Sequence, residues 1–236
     1  MPSTTGLRAR VRAELIAEIK DEARRQLAEE GASSLSLRAI ARHLDMVSSG
    51  IYRYFKSRDQ LLTALIVDAY DAIGTAVEEA DGRCERTDFA GRWSACCHGV
   101  RDWALGHPHE YTLIYGSPVP GYHAPEETTS PASRATLALV TIVHEAAAAG
   151  KLRSSFVADM SPKLSKSAAA EAARLQAMGF GEVPRDAIIR ALAAWTQLFG
   201  AVNFEVFGRF SDIVEDVDAV FAQSVTDMSA FVGLVE

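Results

Sequence analysis

Three cysteines in 236 residues are too few for a disulfide framework, and two of them, Cys96 and Cys97, are adjacent and badly placed to pair with each other. Small buried apolar side chains are their default reading. No amino-terminal stretch has the charged, apolar and small-residue order of a signal peptide, and no uncharged run reaches the length of a membrane span. A cytoplasmic chain without membrane contacts is expected. A nucleophile elbow, a glycine-rich phosphate loop and an HExxH pair are all missing, which leaves an enzyme reading without support and implies no cofactor. Repeats are missing too, and alanine richness is the one compositional bias. Excess positive charge is also lacking. The chain carries 24 Lys and Arg against 31 Asp and Glu, a net of −7, which argues against a protein that coats nucleic acid indiscriminately.

The charge that is present is unevenly shared. Residues 1–60 hold 11 Lys and Arg against 8 Asp and Glu, a net of +3, and the remainder holds 13 against 23, a net of −10. Within the basic end lies SLRAIARHLDMVSSGIYRYFKSRD, residues 36–59. Leu37, Ile40, Ala41 and Leu44 fall at i, i+3, i+4 and i+7, which predicts a helix with one apolar stripe and with Arg38 and Arg42 toward solvent. Ser36 is its natural N-cap. Asp45 and Met46 interrupt the pattern, and a second short helix is expected from Val47 or Ser48, with Ile51 and Phe55 pointing inward. That leaves Ser48, Ser49, Gly50, Tyr52, Arg53 and Tyr54 on its outer face. Small residues at the start of such a helix let the backbone approach the floor of a major groove, and hydroxyls reach phosphates or base edges. Lys56 and Arg58 flank Ser57, a candidate cap for the next helix, and two cations beside a helix N-terminus suit a phosphate. Together with Ser36, Arg38 and Arg42, these residues are the candidate contacts to double-stranded operator DNA.

The helical stretch from about Leu7 to Glu30, followed by SLRAIARHL, SSGIYRYF and KSRDQLL, closely resembles the N-terminal domain of the tetracycline-repressor (TetR) family of bacterial transcription regulators. The resemblance implies an all-α protein. A three-helix DNA-binding domain would span 7–57, with its helix-turn-helix at 36–55, and a helical ligand-binding and dimerisation domain would span 58–236. It further implies a homodimer on a palindromic operator, most often a repressor released by a small-molecule inducer. Two positions depart from the family pattern. Asp45 stands where Gly usually makes the turn, and Asp accepts a left-handed backbone less freely. Val47 stands where a Ser or Thr usually caps the recognition helix, so that cap passes to Ser48 or is lost.

Beyond the motif the reading is helix almost everywhere. Leu61, Leu62, Leu65, Ile66, Ala69, Ile73 and Val77 continue one amphipathic helix to about Gly82, the mechanical link between head and body. A second runs from Phe89 to Leu105, stopped by Gly106-His107-Pro108, and Pro108 opens a third. Residues 117–131 hold four prolines and are expected to form an irregular loop suited to a lid or to mobility. The run WALGHPHEYTLIYGSPVPGY resembles the start of the C-terminal domain of a TetR subgroup named for its Trp, His and Gly, here Trp103, His107 and Gly116. That subgroup shares no one ligand, so the resemblance identifies no inducer. Residues 132–149 predict another helix, 151–166 a mixed and partly disordered stretch, and 167–178 a short alanine-rich helix.

The last two helices carry apolar residues on opposite sides, and a helix of that kind needs two packing partners. Ile188, Leu192, Trp195 and Phe199 on one, with Val217, Phe221, Val225 and Met228 on the other, are the candidate interface of a twofold-symmetric four-helix bundle. Trp93, Cys97, Arg101, Tyr111, Tyr115, His144, Phe199 and Asn203 are the candidates to line an effector cavity. The competing regulator class is a thiol-redox or metal response through Cys96 and Cys97, although their spacing suits no usual zinc arrangement.

Overall fold

A computed structural model describes residues 4–153, 160–211 and 213–234. Ten α-helices and two short 3-10 turns make up the secondary structure of these residues, and no strand occurs among them. The fold is all-α, as the resemblance implied. The chain divides into two compact units, one of residues 1–71 with 107–131 and the other of residues 72–106 with 132–236.

In the first unit, α1 (Thr4–Glu30) is followed by a 3-10 turn at Ala32–Ser34, then α2 (Leu37–His43), α3 (Ser48–Ile51) and the first half of α4 (Arg58–Gly82). Ser36 caps α2, its Oγ accepting from the Ala39 N–H. Asp45 takes the left-handed turn itself, at φ 52°. Val47 precedes α3 and offers no side-chain bond, so the expected cap is lost and not passed on. Ser57 caps α4 by accepting from the Gln60 N–H at 3.1 Å, while Gln60 Oε1 accepts from the Lys56 N–H at 2.7 Å, a reciprocal cap that fixes the exit from α3. Ile19, Ala23, Leu37, Ile40, Ile51, Leu61 and Leu62 meet in one buried core. The helix α6 (Pro108–Tyr115) and the segment after it close this core, with Leu113, Ile114, Val119 and Tyr122 packed on it. Tyr122 Oη lies 2.9 Å from Thr63 Oγ1 on α4.

The second unit holds the rest of α4 with α5 (Phe89–Gly106), α7 (Thr129–Ala148), α8 (Pro162–Ala177), α9 (Arg185–Val206) and α10 (Val217–Val232). Gly99 brings α5 close to α4, since a Cβ there would lie 3.3 Å from the Ala76 carbonyl oxygen. Helix α7 begins earlier than expected, directly after a 3-10 turn at Glu126–Thr128. Pro131 falls in its first turn, where a missing N–H breaks no intrahelical bond. Helix α8 is also longer than the alanine-rich piece that was expected. Ser161 Oγ accepts from the Leu164 N–H, and Pro162 takes the first helical position, so the mixed reading of 151–166 gives way to helix from 162. The expected disorder within 154–159 falls outside the described residues. α4 and α9 are apolar and long enough by composition to cross a bilayer, but both bury much of that surface within the fold, as core helices do.

Candidate functional site

The head carries exposed polar residues over a buried apolar core. Arg38, Arg42, Ser48, Ser49, Tyr52, Arg53 and Lys56 are exposed, while Ile51 and Phe55 are buried beneath them. Ser36 and Gly50 are half-buried, the former engaged as the α2 cap. Tyr54 is half-buried too, and its ring carries the Arg12 guanidinium at 5.1 Å; Arg12 also donates to the Arg53 carbonyl at 3.2 Å. Arg58 is occupied elsewhere in the head, donating to the Ala32 carbonyl at 2.8 Å and so tying the start of α4 to the turn after α1. On α1, Glu22 is buried and accepts from Arg25, with His43 Nε2 3.4 Å away, and the Arg25 hydrogen bonds hold its carboxyl below the usual range. The short α3 exposes the small hydroxyl residues Ser48 and Ser49, and the exposed Arg53 and Lys56 follow it, a combination suited to a major groove.

Within the second unit a cavity of about 570 Å³ lies among α7, α8 and α9, with Trp93 of α5 in its wall. Its surface is mostly aliphatic, from Leu139, Val143, Leu175, Val183 and Ile188. Alanines at 168, 170 and 191 leave the volume that larger side chains would fill. The charged groups on its wall are Glu171 and Arg174, which pair with each other at 3.1 Å and are substantially exposed.

Of the candidates for lining a cavity, Trp93 lies in this wall, and the others are placed elsewhere. Arg101 is buried and doubly bonded to Glu205, at 2.7 and 2.5 Å, and to Asp218 at 2.5 Å, stacking over Phe221. Hydrogen bonds donated to Glu205 are the largest influence holding Arg101 in its charged form. His144 accepts from the Gly181 N–H at 2.8 Å and packs edge-on against Phe180. Tyr111 and Tyr115 belong to the first unit, where Tyr115 meets Tyr70 edge-on at 5.9 Å. Cys97 is buried, Phe199 packs on Trp195 at 5.3 Å, and Asn203 leaves its Oδ1 buried without a partner.

The candidate interface residues divide by side. Ile188, Phe199, Phe221, Val225 and Met228 are buried within one subunit and so are not free to face a second copy. Ile188, Leu192 and Trp195 contribute to the cavity wall, and Trp195 Nε1 donates to Thr136 Oγ1 at 3.1 Å. The large apolar side chains that face solvent along α9 and α10 are Leu192, Phe204, Val220 and Phe231, and of these Phe204 and Val220 line a shallow groove together with Gly200, Ala201 and Val217. Val220 and Phe231, eleven residues apart, share one helical face, whereas Leu192 and Phe204, twelve apart, are about a third of a turn from each other. Leu192 is among the candidate interface residues, whereas Phe204, Val220 and Phe231 were missed, because periodicity does not say which side of an apolar helix turns outward.

Burial pushes the Cys96 thiol up to about 12 and the Cys97 thiol well above its usual value. Thiolates are the reactive and metal-binding form, so the environment of this pair opposes both redox and metal chemistry. Among the described residues no three His, Cys, Asp or Glu side chains come together to hold a metal ion.

Residues 19–65 match the family model described as bacterial regulatory proteins, tetR family, and residues 93–228 match the tetracyclin repressor-like C-terminal domain. The HTH-type transcriptional regulators Rv1816 of Mycobacterium tuberculosis and Mb1846 of Mycobacterium bovis are each 39% identical over 218 residues, covering 92% of this chain and 91% of the relative. Among solved structures, the regulatory protein SCO4313 superposes with a TM-score of 0.72 at 35% identity, covering 94% of this chain and 98% of that one. A protein of unknown function from Rhodococcus sp. RHA1 follows at 0.68 and 23% identity, over 91% and 93% of the two chains, and supports the fold alone.

Proposed function

Since the chain belongs to the tetR family of bacterial regulatory proteins and is a DNA-binding transcriptional regulator, we propose that it is a repressor that grips a palindromic operator as a homodimer and is released by a small-molecule effector. The observation that carries this reading is the continuity of α4. Its first turn is capped by Ser57 directly after the recognition helix, and its last turn holds Asp81, bonded at 2.7 Å to Arg92, the chain neighbour of the cavity-wall residue Trp93. An effector that binds the cavity more tightly in one position of α4 than in the other shifts the spacing of two paired recognition helices, and they no longer fit successive major grooves. Ser48, Ser49 and Gly50 are assigned to the bases, and Arg38, Arg42, Tyr52, Arg53, Tyr54 and Lys56 to phosphates and groove edges. The exposed apolar side of α9 and α10, centred on Phe204 and Val220, is assigned to the second copy.

Selection from random double-stranded oligonucleotides, with sedimentation of the same sample at micromolar concentration, tests the assignment. A twofold-symmetric consensus retarded by a species of twice the chain mass is expected. A monomer that selects no symmetric sequence overturns it.

A further inference from the structure

The positive charge of the head is concentrated at one end of it. Residues 1–60 carry a net of +3, and residues 1–13 hold Arg8, Arg10 and Arg12 with no Asp or Glu, so residues 14–60 are balanced at eight charges of each sign. These arginines lie where α1 has left the fold behind. The helix runs for about three turns, ~18 Å, ahead of Ile16, the first of its side chains packed on the head core, and each of residues 6–14 is exposed. Further along α1 the cations are neutralised within the head. Lys20 and Arg24 both reach Asp68 at 2.8 Å, and Arg25 reaches Glu22 at 2.6 Å. Of the early three, Arg10 meets Glu14 at 3.0 Å with both groups largely exposed, and no carboxylate of the described residues pairs with Arg8 or Arg12. Arg8 and Arg12 stand four residues apart on one side of the helix, a like-charge spacing that costs stability and that an anionic partner relieves.

Arg12 shows where that partner lies. Its guanidinium sits over the Tyr54 ring at 5.1 Å and donates to the Arg53 carbonyl at 3.2 Å, in the stretch that joins α3 to the Ser57 cap of α4. Arg53 and Lys56 of the same stretch are exposed. Arg8 is one turn further out on the side of α1 that carries Arg12, so the arginine patch continues the surface assigned to DNA and has the sign that suits its backbone. We infer that the first three turns of α1 are a second DNA-binding element, in which Arg8 and Arg10, aligned by the contacts of Arg12, take backbone phosphates beside the major groove that α3 enters. The inference rests on the DNA-binding reading and deepens it. It gives much of the sequence-independent affinity to α1 and leaves the reading of bases to α3.

The test measures binding of the full-length protein to its selected operator and to a random duplex of equal length, by fluorescence anisotropy over a series of salt concentrations. Arg8→Ala combined with Arg10→Ala is expected to lower affinity for both duplexes by about tenfold or more. It should also flatten the dependence of log affinity on log salt by about 0.9 for each contact removed, about 1.8 for each half-site. Arg8→Lys combined with Arg10→Lys keeps the charge and is expected to restore most of the slope. Should the alanine pair disturb folding, Arg8→Gln, which gives up no ion pair within the chain, is expected to produce about half of the change in slope. Hydroxyl-radical footprinting is expected to show backbone positions beside each half-site that the wild type protects and the alanine variant leaves open, with purine protection in the major groove the same for both. A wild type that binds neither duplex overturns the DNA-binding reading and this inference with it. Alanine and glutamine variants with the wild-type slope and footprint, or a lost slope that the lysine pair does not restore, overturn the role of α1 and leave the operator reading standing.

Discussion

Arg92 Nε sits 2.7 Å from Asp81 Oδ1, joining the first turn of α5 to the last turn of α4 beneath a fully buried guanidinium. Arg92 Nη1 reaches Glu145 of α7 at 2.5 Å and the Arg86 carbonyl at 3.1 Å, so three helices close on one cation. Burial alone would raise the Asp81 carboxyl, but hydrogen bonds from Arg92 and Arg86 outweigh it and hold the group below its usual value. Asp81→Asn removes one of two carboxylates facing a buried charge and is expected to cost about 2 kcal/mol at neutral pH. Because the folded value is the lowered one, the contribution is complete above about pH 4 and disappears as pH falls through that folded value. Chemical denaturation of the two proteins should therefore differ at pH 7 and converge in strong acid. A difference that persists undiminished below the carboxylate range would show that the loss has another origin.

The exposed apolar side of α9 and α10 predicts the outcome of placing charge there. Phe204→Glu and Val220→Glu are each expected to weaken self-association at least a hundredfold, about 2.8 kcal/mol, by putting a carboxylate into a desolvated contact. Sedimentation velocity over a concentration series reads this directly. Helicity should remain intact, since both side chains face outward. An unchanged weight-average mass would move the interface elsewhere.

On DNA, the exposed Lys56 and the hydroxyl residues of α3 have separable effects. Lys56→Ala should lower affinity for all sequences alike and flatten the dependence of log affinity on log salt by about 0.9, one phosphate contact. Ser48→Ala should instead change the ranking of operators while leaving that slope alone, as expected for a group that reads a base. Gel retardation at four salt concentrations with two operator variants distinguishes them, and a Lys56→Ala slope equal to wild type would remove Lys56 from the phosphate contacts.

Asp45 holds a left-handed backbone at φ 52° in the turn between α2 and α3. Glycine adopts that region without the Cβ penalty but is freer in the unfolded chain, and the two effects partly cancel. Asp45→Gly is expected to stabilise by about 0.5 kcal/mol, and Asp45→Val to destabilise by about 1–2 kcal/mol. Thermal denaturation of the two variants provides the check, with loss of stability in Asp45→Gly as the contrary result.

Much of the head was legible because local rules determine it. The caps at Ser36 and Ser57, the inward Ile51 and Phe55 and the left-handed Asp45 each follow from a few neighbouring residues. The body was less legible because its decisive relationships are between distant residues. Arg101 pairs with Glu205 and Asp218, more than a hundred positions away, and no periodicity announces that. The cavity is formed by what small residues leave empty, and alanines on α8 read only as helix formers. Helices α9 and α10 were read as apolar on opposite sides. Which side each turns inward depends on packing against α5 and α8, so Phe221, Val225 and Met228 fall on the inner side while Leu192 faces outward.

The packing of Leu113, Ile114, Val119 and Tyr122 onto the core of the amino-terminal helices has a practical corollary for protein engineering. A fragment cut shortly after the recognition helix would lose part of its own hydrophobic cover, because that cover is encoded about sixty residues downstream, at Leu113 to Tyr122. Chimaeras that transplant DNA specificity between relatives therefore need two separate stretches of donor chain, the second including the proline-rich run. Grafts that carry only the first would leave an apolar surface matched to a different lid and a strong tendency to aggregate.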